Sequence, residues 1–154
     1  MTLPVRNFSL FLIAAVLVLA GCDKKKDVNP SQADLYGKVA RPTWTAVENP
    51  DMTTSMTAVV AVKTLSEVVI NDTTVSEKDL LAAFSGEKCV SVAQYDKGLF
   101  FLYIPGMEGE ITLRYFSAHY TNLFEAKDAF RFVNDTQKGT PAEPFVPALK
   151  MVEE

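Results

Sequence analysis

One histidine, two cysteines and one tryptophan are all that 154 residues provide of the side chains that carry most metal, nucleophilic and stacking chemistry. A zinc-ligand spacing is missing, as are a phosphate-cradling glycine loop and a G-x-S-x-G elbow. These absences empty most enzyme classes, and no cofactor or resident metal is expected. Basic clusters are scarce as well: Lys24, Lys25 and Lys26 form the one run, and 15 Lys and Arg against 19 Asp and Glu leave a net charge of −4. Nucleic acid is therefore not an expected partner. Internal repeats are absent, and only one long apolar run occurs.

That run, residues 8–19, is broken only by Ser9 and follows a single positive side chain, Arg6. It is too short for a stable transmembrane helix and has the form of a secretory signal. It closes on Leu19, Ala20, Gly21 and Cys22. This L-A-G-C resembles the bacterial lipobox, whose cysteine is diacylated on sulfur and becomes the first residue after cleavage. The resemblance implies a signal peptide over 1–21 and a mature chain fixed to a membrane at Cys22. Each buried methylene contributes about 0.8 kcal/mol, so two or three acyl chains hold a soluble domain durably. Loss of Arg6 with the leader takes the net charge from −4 one unit further, to −5.

Residues 22–40 read as the acylated cysteine and a flexible tether, because the charged, polar stretch after Cys22 cannot bury enough surface to fold. Its three lysines can also lean on anionic head groups. A domain over 41–150 follows, of a size suited to a single core. From Met56 the apolar period is two, with Met56, Ala58, Val60 and Val62 on one face. Val68, Val69 and Ile70 make a short second strand, closed by Asn71 and Asp72. Ser76 and Asp79 open either a helical turn or a loop feeding a strand. Lys88 to Ala93 reads as a strand, and Asp96, Lys97 and Gly98 as a tight turn into the next. That next strand is apolar on both faces, which predicts a central strand covered on each side with Phe101 at its middle. Ile111, Leu113 and Tyr115 alternate with Thr112, Arg114 and Phe116, and two further strands follow around Phe124 and Phe130. Gly139, Pro141, Pro144 and Pro147 force an extended return along an edge. About eight or nine short strands without amphipathic helices predict an all-β, antiparallel β-sandwich.

Several of these stretches, A-A-F-S-G-E-K-C-V-S-V-A ending at Ala93 above all, with F-R-F-V and G-T-P-A-E-P later, together resemble a module of secreted and surface proteins of Bacteroidetes-type bacteria. The chain departs from that module at Ser91, where it carries glycine, and at Val90, where it often carries arginine. The resemblance implies a β-sandwich and an envelope habitat, and brings no catalytic residues. Asp72, Thr73 and Thr74 also resemble a short O-glycosylation motif of such bacteria.

Candidate chemistry is thin. His119 near Ser117 offers a base and a hydroxyl, but a lone turn histidine reads better as structural. Glu108 and Glu110 mimic a carboxylate dyad only in a turn that charge keeps solvated. Asp72, Glu77, Asp79 and Glu87 fall on loops and supply hard oxygens of the kind calcium takes, at spacings that fit no calcium loop, so solvated turns are the better reading. Cys89 reads as a core residue, and with Cys22 acylated no disulfide is expected. Trp44 reads as a plug between the sheets. Aromatics exceed what one core holds, and Tyr115, Phe116 and Tyr120 are the candidate ligand-binding face, suited to a glycan or a surface protein. The expected role is a lipid-anchored, non-catalytic envelope protein, on the outer membrane, acting as a binding or adhesion accessory. The alternative is a structural or assembly subunit of a surface complex; an enzyme is the least supported class.

Cys22→Ser is expected to abolish labelling by a fatty-acid analogue and to release the protein from membranes. Wild-type protein that takes up no label would show that the chain is not anchored at Cys22.

Overall fold

The computed structural model describes residues 30–48, 50 and 53–153. Cys22, its lipobox and the tether up to residue 29 lie outside the described residues. The architecture is an all-β sandwich of two open sheets.

The first sheet has the order β11-β1-β7-β6, from Thr136–Lys138 (β11), Ser55–Val60 (β1), Leu99–Pro105 (β7) and Gln94–Asp96 (β6). The second runs β3-β2-β12-β9-β8-β4-β5. Its strands are Val68–Val69 (β3), Thr64–Leu65 (β2), Leu149–Met151 (β12), Asn122–Ala126 (β9), Glu110–Ser117 (β8), Leu80–Ser85 (β4) and Lys88–Val92 (β5), with Phe130–Arg131 (β10) pairing on β8. Twelve strands among the described residues exceed the eight or nine expected, because pieces of two or three residues carry too little period to be counted from sequence. Pairing is antiparallel except where β11 lies parallel to β1 and β12 to β2. The proline-rich return behaves as expected of an edge: Phe145 exchanges backbone hydrogen bonds with Val59 of β1 and with Ala61 just beyond it. Gly139 at φ +74° makes this return possible, since a Cβ there would lie 2.6 Å from the Val59 carbonyl oxygen.

The alternation on β1 holds, with Met56, Ala58 and Val60 in the core. On β7 the core face is Phe100, Leu102 and Ile104, and Phe101 is on the other side. The expectation of a strand covered on both faces is corrected here: Tyr103 is 45% exposed, and Phe101 is only half-buried. Phe100 is the residue at the centre, edge-on to Tyr95 at 5.3 Å and to Tyr115 of the opposite sheet at 5.9 Å. Tyr115 continues the stack to Phe124 at 6.3 Å.

Two further expectations change. The folded part begins before residue 41, since Leu35, in a 3-10 turn over Gln32–Leu35, is wholly buried in the core cluster. Gly37 and Val39 then donate backbone hydrogen bonds to Tyr120 and Thr121. Trp44 is no plug between the sheets: it is half-buried and meets Phe84 edge-on at 5.5 Å.

The loop before β4 is fixed by a buried carboxylate. Asp79 accepts hydrogen bonds from the Ser76 N–H at 3.0 Å, the Ala118 N–H at 2.8 Å and the Tyr115 hydroxyl at 2.6 Å. Of the two readings left open for this stretch, the loop feeding a strand is the one the chain adopts. A buried charge is tolerable only when hydrogen-bonded in this way. Burial, and then the Asp79 carboxylate, push the Tyr115 hydroxyl far above the ordinary tyrosine value of 10.0.

Phe100→Ala is expected to cost about 3–5 kcal/mol, whereas Phe101→Ala should cost on the order of 1 kcal/mol; denaturant melts measure both, and a reversed order would overturn this packing. The folded state keeps the Tyr115 proton that the unfolded chain releases above pH 10, so this contribution is intact below pH 10 and lost as pH rises beyond it. Melts at about pH 9 and about pH 11 should therefore show stability falling with pH, and falling less in Tyr115→Phe.

Candidate functional site

The aromatic residues singled out from sequence form no exposed face. Tyr115, Phe116 and Tyr120 are 0%, 3% and 1% exposed, so the candidate ligand-binding face is corrected to core and under-strap packing. Tyr115 belongs to the inward alternation of β8, and Tyr120 is covered by the residues after Leu35, with Tyr36 edge-on at 5.1 Å. His119 hydrogen-bonds the Tyr36 hydroxyl at 3.1 Å, while Ser117, buried, accepts from the Tyr120 N–H, so each is bonded to a different partner.

The loop carboxylates do not converge. Asp72 pairs with Lys63 at 2.7 Å, Glu87 takes Arg114, Asp79 is buried as described, and Glu77 is exposed. No group of three or more metal-binding side chains occurs among the described residues. Cys89 is half-buried rather than core, and burial pushes its thiol up, which leaves little thiolate.

A groove of about 720 Å³ lies instead on the outer face of the first sheet. Its floor follows from strand register. Thr57 of β1 stands opposite Tyr103 of β7 and beside Gln137 of β11, so these three form one row across the sheet. Val59 stands opposite Phe101, which pairs in turn with Gln94 of β6, giving a second row. Neighbouring strands are about 4.8 Å apart, so each row is about 10 Å across. Trp44, Val47 and Pro50 form a wall, and Pro141 and Pro105 stand at the margins.

The wall is braced from outside. The Arg114 guanidinium lies 4.4 Å from the centroid of Phe84, the ring that Trp44 meets edge-on. Arg114 in turn donates two hydrogen bonds to Glu87, at 3.0 and 2.9 Å, and one to Glu125 at 2.9 Å. Those bonds hold the Glu87 carboxyl below its usual range. The floor is braced at the corner where the chain passes from one sheet to the other: Ser91, buried in β5, donates its hydroxyl hydrogen bond to the Tyr103 carbonyl at 2.7 Å. Ser91 thus clips β5 to the strand beneath the groove.

Sequence reasoning assigned Trp44 and Phe101 to the core, and it missed Gln94 and Gln137. The signal was present in the second apolar face of β7. Compared with family models, with curated proteins and with solved structures, the chain finds no match. The class defined by the fold is an all-β sandwich carrying a groove on one outer face.

Arg114→Ala removes the cation over Phe84 and is expected to shift the emission of Trp44, the sole tryptophan, to longer wavelength with the sheet content unchanged. Unaltered emission would show that Phe84 holds Trp44 without that support.

Proposed function

We propose that this chain is a lipid-anchored protein of the bacterial cell envelope, on the outer membrane, whose sandwich is a non-catalytic module that binds a glycan or a surface protein. The observation that carries this reading is the groove across the first sheet, open to solvent and lined by aromatic rings on a floor of hydrogen-bonded strands. The L-A-G-C sequence supports the anchor, and the resemblance to an envelope module supports the habitat. A non-catalytic role is supported by the separate commitments of Ser117 and His119. Among the described residues no helix is long and apolar enough to cross a membrane, and acylation at Cys22 supplies attachment without one.

The test is capture from envelope extract, beside a glycan array, with the full chain in detergent. Tyr103→Asp, in the groove, is expected to lose the captured ligand, and Val69→Asp, exposed at a distant edge, to keep it. Equal retention by both variants would show that binding does not use the groove and would sink the reading.

A further inference from the structure

The chain is 22% charged, yet none of the eighteen described residues lining the groove is Asp, Glu, Lys, Arg or His. A lining drawn at random from this composition would carry about four charges. The described part of the lining is therefore neutral where the chain as a whole is not. Charged side chains lie close by and face elsewhere: Lys138, next to Gln137 on β11, turns away to stand over the rings of Phe130 and Phe145, at 4.9 and 4.2 Å. Arg114 is held on the far side of Phe84 by its two glutamates.

What the lining offers is ring faces, amides and hydroxyls. Tyr103 and Phe101 lie side by side on the floor with Trp44 on the wall, and Gln94 and Gln137 stand exposed at opposite flanks of the sheet. Such a set matches a ligand with flat C–H faces and a rim of neutral hydroxyls. It does not match an anion or cation, which would lose its hydration here without gaining a counter-charge. An extended peptide is also disfavoured. Of the floor strands, β1 is paired on both sides, and on β7, where β6 reaches only Leu99 to Phe101, the Tyr103 carbonyl is already taken by the Ser91 hydroxyl, which leaves little free ladder on which a peptide strand can add.

We propose that the groove binds an uncharged saccharide chain, its rings stacked on Tyr103, Phe101 and Trp44 and its hydroxyls bonded by the Gln94 and Gln137 amides. This rests on the binding-module reading above and narrows its ligand. Because Trp44 is the only tryptophan, intrinsic fluorescence reports the groove directly.

The experiment titrates the full chain in detergent with hexaoses of glucose, mannose, xylose and galactose, with hexagalacturonate as the charged counterpart and a proline-rich peptide as the third probe. A saturable emission change with at least one neutral hexaose is expected, with affinity about tenfold weaker or worse in Tyr103→Ala. Gln137→Glu, which keeps the shape and adds a charge, should weaken it as well. Thermal melts establish that both variants are folded, and Gln137→Glu at an exposed position keeps the test alive if Tyr103→Ala is not. Equal or tighter binding of hexagalacturonate overturns the uncharged-ligand assignment. Binding of the peptide alone, or silence toward every sugar while envelope capture still depends on Tyr103, overturns the saccharide and leaves the binding module standing. Silence toward every probe together with capture insensitive to Tyr103→Asp removes both.

Discussion

A sandwich gives each sheet one dry side, and β7 brings apolar side chains to both of its sides. The rest of the molecule answers to that mismatch. Phe100, Leu102 and Ile104 take the dry side, and Phe100 carries the contact across to Tyr115 of the opposite sheet. Leu99, Phe101 and Tyr103 are left on a face for which no third layer exists. Uncovered apolar area forgoes roughly 25 cal/mol per Å², so some cover is favourable. The cover is partial: the segment bearing Trp44, Val47 and Pro50 flanks the face on one side, and the return through Pro141 reaches it on the other. The groove is what remains between them.

Much of the fold was legible because period two survives wherever a strand is long. Met56, Ala58 and Val60 on β1, and Ile111, Leu113 and Tyr115 on β8, face the core as their alternation demands. Reading Tyr115 as a ligand contact set composition against that alternation, and alternation prevailed. The fate of a second apolar face is not legible in the same way, since periodicity shows that β7 is apolar all round without showing whether solvent or another layer lies beyond it. Leu35 was lost for a different reason. It is a lone apolar residue among polar neighbours, and its segment is held by hydrogen bonds between Leu35 and Asn122, Gly37 and Tyr120, and Val39 and Thr121, each pair more than 80 positions apart in the chain. Gln94 and Gln137 became visible only once register joined them to Phe101 and Thr57, because β6 and β11 are three-residue strands with no pattern of their own.

The ion pairs among the described residues stay out of the groove lining. Lys63 with Asp72, Lys127 with Glu67, and Arg114 with Glu87 and Glu125 are all drawn off onto other surfaces. Solvent screens exposed pairs of this kind, so they contribute little to stability and their placement matters more than their strength. By holding Arg114 against Phe84, the glutamates brace the ring that Trp44 touches while keeping the cation itself out of the groove. The pair thus acts on the site through packing, without presenting charge to a ligand.

The same arrangement sets what binding costs. The floor is already ordered, with β1 paired on both sides, β7 held by β1 along its length, and Ser91 fastening Tyr103's backbone to β5. Aromatic rings have few torsions to freeze, and Trp44 is held by its contact with Phe84 before any ligand arrives. Ordering on association is then confined mainly to the exposed Gln94 and Gln137 side chains, at about 0.5–1.5 kcal/mol each. Desolvating neutral amides and hydroxyls is also far cheaper than stripping water from a charge. A shallow groove with few strong contacts can therefore hold a ligand because so little of it has to be ordered or desolvated, and this economy lasts only while the lining stays uncharged.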